Sequence, residues 1–115
     1  MRNKNQKGKC VKLTLPHFDG IVKTYDDLQL AAAKWLSANS DFVSIQSNVD
    51  SISIDAVDYM TDFLGLDKDG KYTAFECVYK KQLDKPKMMK LLDASQQFWE
   101  ARGAMWQLIC DTEDA

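Results

Sequence analysis

Two strands joined by a tight turn are predicted in the segment DYMTDFLGLDKDGKYTAFECVYKK, residues 58–81. Its aromatic and β-branched residues suit a pleated surface. Between the strands, Asp67–Lys71 has the composition of a three-residue hairpin loop, with Gly70 in the left-handed position. If the two ends of that loop face each other, Asp62 lies opposite Glu76 on the neighbouring strand.

Side-chain alternation then puts five residues on one face of the hairpin: Asp58, Asp62, Glu76, Val78 and Lys80. Two carboxylates with a lysine further along are groups that can hold Mg²⁺ and orient water at a phosphate. A slip of the turn by one residue would separate Asp62 from Glu76. The alternative interpretation is that these charges form the solvated face of a hairpin, as most strand charges do.

The composition restricts the class of protein. A chain of 115 residues, 45% of them hydrophobic, is long enough for one domain with a core and too short for two. Three separated cysteines without a Cys-x-x-Cys pair indicate a reducing compartment and argue against a disulfide framework or a structural zinc site. We find no signal peptide and no apolar stretch of membrane-spanning length, so a cytoplasmic protein without membrane contact is expected. A single histidine, His17, excludes two-histidine metal sites, and scattered glycines exclude a Gly-rich phosphate loop.

Charge is distributed unevenly along the chain. Residues 1–12 contain five basic side chains and no acid; they carry +5 of a net charge of −2, so residues 13–115 carry −7. We therefore predict a basic, flexible arm over residues 1–12 and one domain over residues 13–115. Such an arm is suited to phosphate, and the alternative is a few solvated lysines.

Several elements are predicted before the hairpin. A short strand is predicted at Cys10–Leu15. A helix is expected over Thr24–Asn39, with Thr24 and Asp27 forming a capping box. Two further strands are expected, joined by residues 48–51. They are Phe42–Ile45 and Ile52–Ile54. Helical spacing predicts one buried face, made of Leu28, Ala31, Ala32, Trp35 and Leu36.

A second helix and a last strand are predicted after the hairpin. The helix covers Pro86–Arg102, because proline fits the first turn and Gly103 is a left-handed stop. A buried strand, Met105–Cys110, follows. The inner helix face is expected to contain Met88, Met89, Leu91, Leu92, Ser95, Phe98 and Trp99. The predicted class is therefore α/β, a mixed α+β sheet with the element order α-β-β-β-α-β.

Five lysines occur within eleven residues at the start of the second helix: Lys80, Lys81, Lys85, Lys87 and Lys90. Lysine side chains and a helix amino terminus both favour phosphate. We therefore predict that Lys80, Lys81, Lys85 and Lys87 contact DNA. The alternative is an ordinary solvated helix surface.

The order of elements and the charged hairpin resemble the PD-(D/E)XK restriction-endonuclease-like fold. The closer resemblance is to the amino-terminal domain of TnsA-type transposon endonucleases, and it covers roughly residues 20–113. The matching segments are Tyr25–Trp35, Asp41–Gln46, Thr61–Leu64, Asp67–Gly70, Phe98–Gly103 and Trp106–Glu113.

The resemblance also implies a set of catalytic residues. The family places a glutamate in the first helix, an aspartate on the second core strand, and an acid or glutamine two residues before a lysine. Asp62 matches the aspartate and Lys80 the lysine, whereas Glu76 is a displaced acid and Gln29 stands where the helix glutamate is expected. Val78, two residues before Lys80, cannot bind a metal.

Two functions follow from this resemblance. In the first, Asp62 and Glu76 hold Mg²⁺ or Mn²⁺, Lys80 orients or activates water, Gln29 orients the metal or the water, and DNA phosphodiesters are hydrolysed. In the second, the chain is a catalytically degenerate nuclease-fold module that binds DNA or a protein partner. Without the additional DNA-binding domain of a full transposon endonuclease, site choice would require a protein partner or a homodimer.

Overall fold

Six strands and two α-helices form the part of the protein that this computed structural model describes, residues 10–54 and 57–111 without the side chains of 52–58. In chain order these are β1 (Val11–Leu13), β2 (Val22–Thr24), α1 (Asp27–Asn39), β3 (Ser44–Ile54), β4 (Val57–Leu66), β5 (Tyr72–Val78), α2 (Pro86–Ala101) and β6 (Met105–Cys110). A 3-10 turn, Lys80–Gln82, joins β5 to α2.

Four of the strands form one mixed sheet. Its order is β3-β4-β5-β6; β3, β4 and β5 pair antiparallel, and β6 runs parallel to β5. β1 and β2 form a separate antiparallel ribbon that precedes α1. The coarse prediction of a mixed sheet with two helices is confirmed.

The central hairpin forms in the predicted register. The Asp67 N–H donates to the Lys71 carbonyl at 2.9 Å, and strand pairing continues to Phe63 opposite Phe75. Gly70 has a φ of 82°, the left-handed conformation that the turn requires. The Asp67 Oδ1 atom also accepts the backbone N–H groups of Asp69 and Lys71, both at 2.9 Å. Local turn chemistry thus sets the register of β4 against β5.

The two helices cover opposite faces of the sheet. Because successive strand residues point to opposite faces, Phe63 and Phe75 belong to the layer beneath α1, whereas Leu64 and Ala74 belong to the layer beneath α2. The α1 layer comprises Val22, Ala32, Ala33, Leu36, Ile45, Phe63, Phe75 and Cys77. The α2 layer comprises Leu64, Ala74, Val78, Met88, Leu92, Trp99 and Ala104, with Trp106 packed against them.

The predicted N-cap of the first helix is wrong by two residues. Thr24 lies in β2, and the N-cap is Asp26, whose Oδ1 accepts the Gln29 N–H at 2.8 Å. The Gln29 side chain reaches back to accept the Tyr25 N–H at 2.9 Å, which completes a variant of the capping box. Pairing of β2 with β1 keeps Thr24 extended, so the next available cap is used.

The predicted buried face of that helix is also displaced. The buried residues are Gln29, Ala32, Ala33 and Leu36, whereas Ala31 is exposed and Trp35 is 58% exposed. The buried set still has the i, i+3, i+4, i+7 spacing of a helix packed on a sheet. Gln29 Nε2 donates to Asn48 Oδ1 of β3 at 2.9 Å, and this contact fixes which face is turned inward.

The two strands predicted before the hairpin are one strand, β3. Residues 48–51, predicted as their connection, lie within it. Asn48 has a φ of 54°, and the register against β4 shifts between Asp50 and Ile52. Polar residues that resemble a turn are therefore accommodated as irregularities of a paired strand.

The bounds of the second helix and of the last strand agree with the prediction, but β6 is not the buried strand that was expected: Met105, Gln107 and Leu108 are exposed, because β6 is the last strand of the sheet. α2 ends one residue before the predicted Arg102, with Pro86 at its start and a φ of 82° at Gly103. Met89, expected inside, is 49% exposed and is a further correction. Neither described helix is long and apolar enough to cross a membrane.

Candidate functional site

Asp62 lies at the point where pairing between β4 and β5 ends. Its side chain has no exposed surface, and its Oδ2 atom accepts the Cys77 backbone N–H at 2.7 Å. In an uninterrupted antiparallel ladder, that N–H would donate to a backbone carbonyl of β4. The Asp62 carboxylate therefore takes the place of a main-chain acceptor beyond the pair Phe63–Phe75.

Glu76 is equally buried, with no exposed surface, and faces α2. Its Oε1 atom accepts the Tyr59 hydroxyl at 2.9 Å, and its Oε2 atom accepts the Ser95 hydroxyl at 2.8 Å. Trp106 Nε1 donates to Ser95 Oγ at 3.2 Å, which extends the network to β6. Both carboxylate oxygens thus connect β4, β5 and α2 through hydrogen bonds.

A second hydrogen bond joins β4 to α2 and shows that Thr61 faces α2, so the alternation of β4 changes between Thr61 and Phe63, where its pairing with β5 ends. Trp99 Nε1, on α2, donates to Thr61 Oγ1, on β4, at 2.8 Å, and Thr61 has no exposed surface. Sequence reasoning did not assign roles to Tyr59, Thr61 or Ser95. The available signal was Ser95 itself, because a serine on an apolar helix face requires a polar partner when it is buried.

The hairpin pattern predicted that Lys80 shares a strand face with these carboxylates, and this prediction is wrong. β5 ends at Val78, and Lys80 begins the 3-10 turn with an exposed side chain. Its backbone N–H donates to Asp111 Oδ1 at 2.7 Å, which holds the chain in this turn. The predicted position of the Asp58 side chain lies outside the described residues.

The residue two positions after Glu76 is Val78, which is 2% exposed and packs with Met88 and Leu92. Gln29 belongs to the other layer, where its amide oxygen and nitrogen are used by Tyr25 and Asn48. The structure therefore places Asp62 and Glu76 on neighbouring strands but does not bring Lys80 or Gln29 into a common site with them.

These side chains do not fit a hydrated divalent cation. Mg²⁺ requires near-octahedral oxygen coordination and keeps several waters. Asp62 and Glu76 are fully buried, and their oxygens accept hydrogen bonds from a backbone N–H and two hydroxyl groups. Over residues 10–54 and 57–111, no group of three or more His, Cys, Asp or Glu side chains is arranged to hold a metal ion.

The predicted phosphate-contacting lysines lie beyond the carboxyl end of β5, at the opposite end of this strand from the hairpin turn. Lys80 and Lys81 are in the 3-10 turn, Lys85 is the N-cap of α2, and Lys87 is in its first turn. All four are exposed. Lys90, one turn further along, is exposed as well. We call Lys81, Lys85 and Lys87 the lysine cluster.

Acidic residues border this region on the side of α1. The Tyr79 hydroxyl accepts the Leu28 N–H at 3.2 Å. Burial raises the pKa of Tyr79 above its ordinary value, the Leu28 N–H opposes that change, and Asp26, Asp27 and Asp111 raise the pKa further. Asp26 and Asp27 at the start of α1, and Asp111 after β6, are therefore close enough to Tyr79 to act on its hydroxyl.

An open depression of about 800 Å³ lies near the hairpin turn and the start of β3. Its lining includes His17, Asp41, Asp67 and Asp69, but neither Asp62 nor Glu76. Asp67 is occupied in the turn through its bonds to two backbone N–H groups. This depression is thus separate from the predicted site.

Comparison with protein-family models finds no match. Comparison with curated proteins finds no significant match either. The resemblance to TnsA-type endonucleases consequently stays a prediction carried by the residues of this chain.

Proposed function

We propose that the protein is a catalytically degenerate nuclease-fold module of the PD-(D/E)XK, TnsA-like type that binds DNA. The observation that carries this proposal is the complete burial of Asp62 and Glu76. Metal-dependent hydrolysis needs carboxylates that are open to a cation, water and a phosphate. Here the same oxygens join strands and a helix, so their contribution is to the fold.

The other two predicted catalytic residues support the same conclusion. The family pattern places a lysine two residues after the acid, and the residue two after Glu76 is the buried Val78. Lys80 lies outside the strand, and Gln29 caps α1 and binds β3. Each position of the implied site therefore has either a structural role or the wrong side chain for chemistry.

DNA is the proposed ligand because of the lysine cluster. Its three side chains are exposed, and the first turn of α2 contains no acidic residue to oppose a phosphate. Lysines at a helix amino terminus favour the DNA backbone over any particular base sequence. We therefore expect binding that depends strongly on salt and weakly on sequence.

The absence of cleavage can be tested with a plasmid-nicking assay in Mg²⁺ and Mn²⁺ at high protein concentration. We expect no metal-dependent nicking and no change in melting temperature on adding either ion. Nicking that is abolished by Asp62→Asn, in a variant whose circular dichroism matches the wild type, would contradict the proposal. That result would favour the alternative function, a metal-dependent endonuclease.

The DNA-binding part can be tested by measuring affinity for a short duplex over a range of salt concentrations. Changing Lys81, Lys85 and Lys87 together to glutamine should reduce the slope of log affinity against log salt by about 0.9 for each phosphate that the protein no longer neutralises. The matched control changes Lys34, Lys68 and Lys71 to glutamine, which removes the same charge from exposed positions elsewhere. Equal decreases in both variants, or no binding by the wild type, would contradict the proposed surface and favour a protein partner.

A further inference from the structure

The two edges of the main sheet differ in how they are protected. At the β3 edge, the Ile45 N–H donates to the His17 carbonyl at 2.8 Å, and the Asp19 N–H donates to the Ile45 carbonyl at 3.0 Å. The register shift between Asp50 and Ile52 makes the rest of that edge irregular. At the other edge, no strand in the described part of the chain pairs with the outer side of β6.

β6 also lacks the features that usually keep an edge strand from pairing. Its sequence, Met-Trp-Gln-Leu-Ile-Cys, contains no charge, no proline and no glycine. Met105 is 63% exposed, Leu108 is 37% exposed, and Gln107 is exposed between them. Exposed edge strands are normally short, irregular, covered or charged, so a regular uncharged edge is suited to pairing with another strand.

We propose that β6 pairs antiparallel with β6 of a second copy of this chain, about a two-fold axis that passes at Gln107. Such an axis is perpendicular to the sheet, so the α2 faces of the two copies lie on the same side of the joined sheet. Residues that oppose each other in an antiparallel pair point to the same face. Because side chains alternate along the strand, this is possible only when the axis passes through a residue and not between two residues. The result is one continuous sheet of eight strands with both α2 helices on the same face.

The side chains of β6 match their own copies best when Gln107 is at the centre. Trp106 then opposes Leu108 of the second copy on the α2 side, and Met105 opposes Ile109 on the α1 side, so that apolar residues meet apolar residues. Gln107 opposes itself, and two primary amides can each donate to and accept from the other. A register centred on Trp106 pairs Gln107 with Met105, and one centred on Leu108 pairs it with Ile109; both leave the amide against an apolar side chain.

The charge pattern favours a second copy over a charged partner. A charged residue on or near a two-fold axis meets the same charge on the other copy, which is unfavourable across a strand pair. Residues 103–110 contain no charged side chain at all. The edge is thus compatible with itself and offers no charge to select a different strand.

The interface should be weak. A pairing of about seven residues covers less than the roughly 800 Å² per partner of a standard interface. We therefore expect a dimer that dissociates in the micromolar range. This dimer goes beyond the proposed DNA binding and does not depend on it.

The test uses the full chain in sedimentation equilibrium, from low to high micromolar concentration. Wild type should approach the mass of two chains as the concentration rises. Gln107→Lys and Gln107→Asp should each stay monomeric, because like charges meet on the axis. An equimolar mixture of these two variants should regain the dimer, because opposite charges then meet.

Gln46, exposed on the β3 edge strand, provides the matched control. Gln46→Lys should dimerise like the wild type, and all variants should keep the wild-type circular dichroism. A wild type that stays monomeric at every concentration would overturn the proposal. So would a dimeric Gln107→Lys, or a mixture of the two Gln107 variants that remains monomeric.

Discussion

The two faces of the main sheet are packed in different ways. Beneath α1, the centre of the layer is apolar, with Phe63 edge-on to Phe18 and Phe75 edge-on to Phe42, each with ring centroids 5.8 Å apart. Its polar contacts, made by Gln29, lie at the start of the helix. Beneath α2, buried polar groups lie within the layer: Tyr59, Thr61, Glu76 and Ser95, with the Trp99 indole nitrogen.

This difference separates two ways of fixing a helix on a sheet. An apolar layer is stabilised in proportion to its burial and packing, and is sensitive mainly to volume. A buried polar network adds direction, because each donor must meet its acceptor, and an unpaired group costs about 1–3 kcal/mol. We therefore expect volume changes to matter most beneath α1, and removal of a partner group to matter most beneath α2.

The largest effect is expected for Phe63→Ala in the α1 layer. Phe63 has no exposed surface, and removing a buried phenyl ring typically costs about 3–5 kcal/mol. Urea unfolding would measure the decrease in stability. Trp35→Ala removes an aromatic ring from the exposed side of α1 and should change stability by only about 0.5 kcal/mol. Similar decreases for the two variants would contradict the assignment of the inner face of α1.

A smaller effect, of a different origin, is expected for Ser95→Ala in the α2 layer. The hydroxyl group donates to Glu76 and accepts from Trp106, so its removal leaves buried groups without this partner. We expect a decrease of about 2 kcal/mol in the free energy of unfolding, although only one oxygen atom is removed. Ser37→Ala is the control, because the Ser37 hydroxyl donates to the Pro16 carbonyl in an exposed position. A Ser95→Ala decrease no larger than that of Ser37→Ala would show that the buried network adds little.

Gly65→Ala tests how closely the α1 layer is packed. A Cβ atom at Gly65 would lie 2.8 Å from ring atoms of Phe42, closer than carbon atoms can approach without movement. We expect a decrease of about 1–2 kcal/mol in the free energy of urea unfolding from this overpacking. Combining it with Phe42→Ala should give less than the sum of the two decreases, because the clash is removed. Additive decreases would mean that the methyl group is accommodated elsewhere.

The parts of the fold that the sequence predicts are those fixed by neighbouring residues. The hairpin depends on Asp67 and Gly70 within one turn, and α2 on Pro86 and Gly103 at its two ends. The start of α1 is different, because Thr24 and Asp26 are both acceptable caps. Pairing between β1 and β2 decides between them, and this contact is not visible in the local pattern.

The candidate site shows the same limit. Turn chemistry predicts that Asp62 and Glu76 lie on neighbouring strands. It does not predict their burial, because that depends on α2 covering the sheet and on Ser95, which is 19 residues from Glu76 in sequence. The position predicted for Lys80 from side-chain alternation is wrong because β5 ends at Val78. The chain then forms a turn in which the Lys80 N–H donates to Asp111. Buried carboxylates in a structural network and carboxylates in a metal site therefore have the same sequence pattern.

The smallest effect is expected at Tyr79, which joins the end of β5 to the start of α1. Its hydroxyl accepts the Leu28 N–H, one of the donors that a helix start leaves without an intrahelical partner. Tyr79→Phe removes this bond. Because water can reach the half-buried site, we expect a decrease near 0.5 kcal/mol in the free energy of urea unfolding at neutral pH, at about the lower limit for one hydrogen bond.

The pH dependence of stability reports the burial of the Tyr79 hydroxyl and the carboxylates near it. Burial, followed by the carboxylates of Asp26, Asp27 and Asp111, raises the pKa of Tyr79 in the folded protein above the ordinary value of 10.0. The folded state then holds the proton of Tyr79 more tightly than the unfolded state does. The protonated hydroxyl therefore contributes stability that is fully present below pH 10.0 and is lost as the pH rises through the folded pKa. Stability measured between neutral pH and the alkaline range should therefore fall less steeply for Tyr79→Phe than for the wild type. Tyr72→Phe, at an exposed tyrosine without that helix contact, should keep the wild-type profile. If the stability of Tyr79→Phe falls as steeply as that of the wild type, the Tyr79 hydroxyl is not buried beside those carboxylates in the folded protein.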